Sequence, residues 1–243
     1  MYDVIVVGAR VAGSPTAMLL ARKGYRVLMV DRAGFPSDTM STHYIHQPGV
    51  ARLERWGLRD AVAASNCPPV GSMTVDFGPV RLTGTPPAWE GATVGYAPRR
   101  TVLDGILLDA SIAAGVEFRD HFSVSELVSD GTRITGVRGR RAGGATVTES
   151  ARIVIGADGL HSFVARAVQA EMYDARPATS CAYYSYWSGL PLTGAEFYNV
   201  PGRTMIAGPT NDGASLLIIN WPIDEFHKVR ADIEGSFYEA LDL

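Results

Sequence analysis

Two glycine-containing turns carry the residues best suited to chemistry in this chain. The first is Gly8-Ala-Arg-Val-Ala-Gly13, set between an apolar run, Asp3 to Val7, and a stretch of helical period through Thr16, Ala17, Leu19, Leu20 and Ala21. A strand–turn–helix of this form can hold a diphosphate. The first glycine makes the tight turn, a later one lets helix pack on strand, and the helix start offers unpaired N–H groups, here those around Val11, Ala12 and Gly13, at the positive end of its dipole. The usual Gly-x-Gly-x-x-Gly pattern has a second glycine where this chain has Arg10. A Cβ there crowds a pyrophosphate; alternatively, the guanidinium faces the phosphates. Asp31 closes the next apolar run, Tyr25 to Val30, where an acidic side chain can accept hydrogen bonds from ribose hydroxyls.

The second turn, about 150 residues on, is Gly156-Ala-Asp158-Gly159-Leu-His-Ser162-Phe-Val-Ala-Arg166, again between a buried-looking strand and a helix start. A third cationic point is Arg99-Arg100 before the helix that begins near Thr101. An arginine there is either a surface side chain at a helix start or, since a helix N-terminus favours anions, one that suits a phosphate or ribose partner. Other chemistries have weaker support. His43 and His46 are spaced i, i+3 without a third ligand, and loop histidines of this kind are more often solvated than metal-bound. Ser14 lacks the Gly-x-Ser-x-Gly context of a nucleophile elbow. Tyr184, Tyr186 and Trp187 could line an aromatic substrate pocket, although strand aromatics commonly pack a sheet face.

The elements that must position these residues are legible in outline. A βαβ unit of about 30 residues opens the chain, with Gly24 placed to stop its helix. Residues 33–45 read as loop, 48–64 as helices around Leu53, Trp56, Leu58 and Val62, and 71–97 as β structure with Gly and Pro turns. Thr101 to Ala114 is a helix that Gly115 ends. Short strands follow at Val116 to Phe118, Ser123 to Val128, Arg133 to Gly139 and Ala145 to Glu149, and a separate buried strand at Arg152 to Ile155. Ser162 to Val168 starts a helix. Further strands are expected at Ser180 to Ser188, Arg203 to Ala207 and Ala214 to Trp221, with one amphipathic helix over Asp224 to Leu243.

In this order the motifs resemble the flavoprotein monooxygenase superfamily, meaning the aromatic hydroxylases related to para-hydroxybenzoate hydroxylase together with the geranylgeranyl reductases. The Asp158-Gly159 segment looks like that family's "DG" motif, which serves both the flavin and the reduced nicotinamide. Arg100 matches the arginine of its Arg-x-x-Leu pattern, which contacts FAD. The resemblance also implies cofactor contacts from Arg32, Ser41 and Thr42 after the second strand. It implies a backbone contact to adenine at Val124, whose side chain by itself reads as core. A third family motif, a Gly-Asp in the C-terminal segment, has no match; Asn211-Asp212-Gly213 reads as a hairpin turn. The resemblance is therefore to the N-terminal part of the family fold.

The implied fold is α/β: a Rossmann-like FAD-binding domain over 1–70 and 98–177, with 116–150 forming a β-meander that covers the parallel sheet. A smaller, mostly antiparallel and incomplete substrate domain takes 71–97 and 178–243. The implied function is an FAD-dependent oxidoreductase. The favoured form is an NAD(P)H-dependent monooxygenase using O₂, through a flavin hydroperoxide, to hydroxylate or epoxidise a small organic substrate. A flavin-dependent double-bond reductase of the geranylgeranyl reductase type is one alternative, and a catalytically silent nucleotide-binding module is another. The cofactor would carry the hard chemistry, so no catalytic side chain is singled out.

Composition agrees with this class. The 243 residues are 47% hydrophobic and 19% charged, with net charge −3, which supports a globular core and offers no basic stripe for nucleic acid or anionic lipid. No apolar run approaches a bilayer span, and no leader precedes the first strand, so a cytoplasmic protein is expected. Cys67 and Cys181 have no metal-like spacing and read as reduced thiols.

Overall fold

The structure, a computed structural model, describes residues 1–242. In chain order the elements are β1 (Tyr2–Val7), α1 (Gly13–Arg22), β2 (Val27–Val30), α2 (Gln47–Trp56), α3 (Arg59–Ala64), β3 (Pro69–Val70), β4 (Met73–Asp76), β5 (Arg81–Gly84) and β6 (Gly95–Tyr96). These are followed by α4 (Arg100–Ala113), β7 (Glu117–Arg119), β8 (Phe122–Ser129), β9 (Ile134–Arg141), β10 (Val147–Gly156) and α5 (Phe163–Ala167). The last are β11 (Ser180–Trp187), β12 (Ala195–Val200), β13 (Arg203–Pro209), β14 (Ser215–Pro222), α6 (Phe226–Ala231) and α7 (Ile233–Leu241). Two compact units result: Met1–Thr39 with Arg100–Tyr173, and Met40–Arg99 with Asp174–Leu243. Residues 40–70, grouped with the nucleotide-binding part in the sequence, lie in the second unit.

The first unit is built on one sheet of strand order β7-β2-β1-β10-β9-β8. β2, and β1 from Val4 onward, are apolar throughout because both of their faces are covered. Alternate side chains divide between the two covers. Val4, Val6, Val27 and Met29 pack with Ala17 of α1 and Leu108 of α4. Ile5, Val7, Leu28 and Val30 pack with Phe122 of β8 and Val137 of β9. The meander thus lies over one face of the parallel strands, as expected, with α1 and α4 on the other. The two helices approach through small buried residues, with the Ser111 hydroxyl donating to the Ser14 carbonyl at 2.8 Å.

One expectation needs correction. The strands expected at Ala145 to Glu149 and Arg152 to Ile155 are a single ten-residue strand, β10. Its first half pairs antiparallel with β9, from Val147↔Gly139 to Ser150↔Gly136, and its second half pairs parallel with β1, from Ala151↔Tyr2 to Val7↔Gly156. The strand changes partners at Ser150–Ala151, where the sequence has no Gly or Pro to mark a stop. Gly136 makes the crossing possible, since a Cβ there would overlap the Glu149 carbonyl oxygen.

The second unit has a six-stranded sheet of order β11-β14-β13-β12-β4-β5, antiparallel except for β12 beside β4, and a small β3–β6 pair. β12 is a strand that the sequence reading does not include. The turn at Asn211–Gly213 links β13 to β14, as expected. The helix expected over Asp224 to Leu243, of which Leu243 lies outside the described residues, is two helices. Asp232 breaks it, leaving helical geometry and accepting the Gly235 N–H at 2.9 Å as the N-cap of α7. An amphipathic count registers the continuous apolar face but not an aspartate that competes for backbone N–H groups. Trp221, Val229, Phe237 and Ala240 form the core between these helices and the sheet.

Candidate functional site

In the first unit, β1, β2 and β10 run parallel and end together, with Val7 opposite both Val30 and Gly156. Their C-terminal ends bring both glycine turns and Asp31 to one edge, the usual binding edge of an open α/β sheet. The turns are built against each other. Gly8 has φ +106°, and a Cβ on it would overlap the Ala157 carbonyl oxygen; the Ala157 N–H donates to the Val7 carbonyl at 2.7 Å. A Cβ on Gly13 would overlap the Gly8 carbonyl oxygen, so helix and strand need glycine at both positions.

The start of α1 is open to an anion. No side chain caps it, its first turn has no acidic residue, and Val11 and Ala12 are exposed. The first N–H groups of a helix have no partner within it. This donor set fits a diphosphate. Asp31 lies beside it: Oδ2 accepts the Ala9 N–H and Oδ1 the Ala33 N–H, both at 2.8 Å. A carboxylate has about four acceptor sites, so two bonds to backbone leave capacity for ribose hydroxyls. Arg32 is exposed at the same strand end.

Arg10 does not hang free in the turn. Its Nη1 donates to Asp104 Oδ2 at 2.8 Å and to the Ser37 carbonyl at 3.1 Å. Its Nη2 donates to Ser37 Oγ at 2.9 Å and to the Asp38 carbonyl at 3.3 Å. Asp104, fully buried on α4, is also held by Arg100, through Nε at 3.0 Å and Nη2 at 3.1 Å. Burial pushes the Asp104 carboxyl up, and the two guanidiniums pull against that. One carboxylate between two arginines leaves the cluster with a net positive charge. Asp104 is a residue that sequence reasoning missed; an aspartate four positions after Arg100 in a helix was the available signal.

In the second turn Asp158 is an internal cap. It accepts the Ser162 hydroxyl and the N–H groups of Phe163 at 2.6 Å and Val164 at 3.2 Å, while Ser162 Oγ accepts the Ala165 N–H at 2.9 Å. Gly159 has φ +86° with open space around it. Val124, on β8, packs its side chain on the core that covers β1 and β2.

Ser41 and Thr42 belong to the second unit. The Ser41 hydroxyl accepts the His43 N–H at 3.0 Å, and the Thr42 carbonyl accepts the Tyr44 N–H at 2.7 Å. His43, weighed in the sequence with His46 as a metal pair and read as a solvated loop histidine, is instead buried: Nδ1 lies 2.8 Å from the Ser41 carbonyl and Nε2 2.7 Å from the Tyr186 hydroxyl. A carbonyl only accepts, so Nδ1 carries the proton, and in the neutral ring Nε2 accepts from Tyr186. Tyr184 stacks edge-on against both His43 and Tyr186, and Arg99 lies over the Tyr186 ring at 4.7 Å, paired with Asp212 at 3.3 Å. Trp187 does not join them. Strand alternation turns it with Tyr183 toward the α6–α7 core, where it meets Tyr238. The expected trio of Tyr184, Tyr186 and Trp187 is thereby split between the two faces of β11.

Comparison with known proteins agrees with this geometry. A family model described as FAD binding domain matches residues 1–225. The chain is 28% identical, over 93% of its length and 54% of the relative's, to phenazine 1,6-dicarboxylic acid hydroxylase PhzS of Lysobacter antibioticus. It is 30% identical, over 76% of its length and 46% of the relative's, to digeranylgeranylglycerophospholipid reductase 2 of Methanothermobacter thermautotrophicus. Among solved structures, the myxobacterial FAD-dependent halogenase CndH superposes over 99% of this chain and 57% of its own, with TM-score 0.87 and 22% identity, a likeness of fold. The chain spans roughly 38–54% of the length of the curated relatives it matches. Among the described residues no helix is long and apolar enough to cross a membrane.

Proposed function

The chain belongs to the FAD-binding domain family of flavoproteins, and on that premise we propose that it is the FAD-binding part of an NAD(P)H-dependent monooxygenase acting on a small organic, aromatic or polycyclic substrate. The observation that carries the reading is the uncapped, acid-free start of α1 beside Asp31 at the C-terminal edge of the parallel strands. The N–H groups around Val11, Ala12 and Gly13 would hold the diphosphate, and Asp31, with Arg32, the adenosine ribose. Gly8 makes the tight turn that lets the second glycine turn pack against the first. Arg100 would face the cofactor from α4, backbone at Val124 the adenine, and Asp158 and Gly159 the flavin side. Ser41 and Thr42 are proposed as contacts from the loop after β2. Bound FAD supplies the hydride acceptance and oxygen activation that side chains cannot.

Tyr184 and Tyr186 are proposed as substrate contacts, with His43 holding the Tyr186 hydroxyl proton at Nε2 and so fixing which way that phenol presents its lone pairs. The likeness to a named hydroxylase supports the oxygenase reading. The likeness to a named prenyl-lipid reductase supports a second one, reduction of a carbon–carbon double bond by the same flavin. The two separate in one assay. The protein is given FAD, NADH or NADPH and a panel of small aromatic acids, with and without O₂. Substrate-stimulated nicotinamide oxidation that needs O₂ and yields an oxygenated product supports the monooxygenase. Anaerobic reduction of a prenyl chain supports the reductase. Tight FAD binding with neither activity supports a nucleotide-binding module.

A further inference from the structure

We propose that Arg10 is a positioning residue for the adenosine half of the cofactor, acting through the 33–39 loop and not on the diphosphate, with buried Asp104 holding it in place. The proposal rests on the FAD reading above and concerns the one position where the glycine fingerprint fails.

Both terminal nitrogens of the Arg10 fork are committed inside the protein, to Asp104, the Ser37 carbonyl and hydroxyl, and the Asp38 carbonyl. The guanidinium also lies over the Phe35 ring at 5.5 Å. Turning it to a phosphate would strip Asp104 of one of its two cationic partners, and an undercompensated buried carboxylate is a costly state. The geometry therefore makes Arg10 a strut between α4 and the loop that follows Asp31.

That loop is fastened separately along its length. Asp31 Oδ1 holds the Ala33 N–H, the His121 N–H donates to the Ala33 carbonyl at 3.2 Å, and Phe35 packs edge-on against Phe118. Beyond Phe35, Arg10 supplies the bonds that reach Ser37 and Asp38 from outside the loop. A loop leaving an acidic strand end is where a dinucleotide's adenosine is bound. Arginine suits the task because its planar fork holds two separate terminal nitrogens in fixed geometry, one serving Asp104 and the Ser37 carbonyl and the other the Ser37 hydroxyl and the Asp38 carbonyl, where lysine has a single nitrogen.

The fingerprint alone predicts that restoring glycine at position 10 should improve cofactor binding. The strut predicts the opposite. The experiment compares the parent with Arg10→Gly, and with Arg10→Lys as a milder variant that keeps the charge opposite Asp104. Two readouts are taken: affinities for FAD and for ADP as an adenosine-side probe, and hydrogen exchange of the 33–39 amides without ligand. We expect Arg10→Gly to weaken both FAD and ADP by about tenfold, the equivalent of one charge-assisted hydrogen bond. Amide exchange across 37–39 should quicken, and Arg10→Lys should recover part of both effects. Unchanged or tighter FAD binding by Arg10→Gly overturns the proposal. So does weaker binding with unchanged loop exchange, which would assign Arg10 directly to the phosphates. A folded parent that binds neither FAD nor ADP defeats the cofactor reading itself and this inference with it.

Discussion

The carbonyl oxygen of Ala157 occupies the space that a Cβ on Gly8 would need, so the two glycine turns are packed backbone to backbone. The first turn after β1 and the second after β10 are therefore one structure, although about 150 residues separate them in the chain. Gly8→Ala forces both a positive φ on a side-chain-bearing residue and a backbone displacement. We expect it to cost more than about 3 kcal/mol and to abolish FAD uptake. Gly159→Ala faces open space and carries only the left-handed penalty, about 1–2 kcal/mol. Thermal or urea unfolding of the two variants checks the ordering; equal losses would contradict it.

Asp158 holds the start of α5 through the Ser162 hydroxyl and two backbone N–H groups. Asp158→Ala should cost about 1–2 kcal/mol, as loss of an N-cap does. It should also raise hydrogen exchange of the Phe163, Val164 and Ala165 amides above that of β10. A variant with parental exchange there would show that the cap is not what holds the helix.

The Tyr186 hydroxyl and His43 should be energetically coupled. Tyr186→Phe and His43→Asn each remove one partner of the 2.7 Å bond, and asparagine tolerates the positive φ of position 43. A double-mutant cycle should return a coupling of about 1 kcal/mol. Trp187→Phe, on the opposite face of β11, should add independently to either; coupling of Trp187 with His43 would place it on the wrong side.

Cys67 is buried, and burial pushes its thiol up to about 11. At neutral pH alkylation should reach the part-exposed Cys181 first and spare Cys67 until the chain unfolds. The folded thiol titrates above the unfolded one, so the folded state binds more protons between the two values. This contribution to stability is fully present below the ordinary thiol range and is lost as pH rises toward 11. Cys67→Ser should flatten that alkaline decline in a denaturant titration repeated across pH.

Much of this arrangement was legible in the chain itself. Strands buried on both faces, a glycine turn and a helix of 3.6 period read directly as a βαβ unit, and Asp31 followed from its place after the second strand. What escaped the reading depends on non-local pairing. The change of partner at Ser150–Ala151 has no local marker, because both halves of β10 have the same extended backbone. The Arg10–Asp104 pair joins residues 94 apart, and His43 meets Tyr186 across 143 positions, distances at which spacing has no meaning. The division of Tyr186 and Trp187 between sheet faces was available from period-two alternation, since adjacent strand residues point oppositely.

The most direct test of the account is whether the folded chain takes up FAD. The purified protein is saturated with FAD, passed through gel filtration and scanned for flavin absorption, with ADP added in parallel as a competitor. The account predicts a yellow protein fraction that releases intact FAD on denaturation and loses colour as ADP is raised. A folded chain that emerges colourless, and whose unfolding is unchanged by either FAD or ADP, would contradict it.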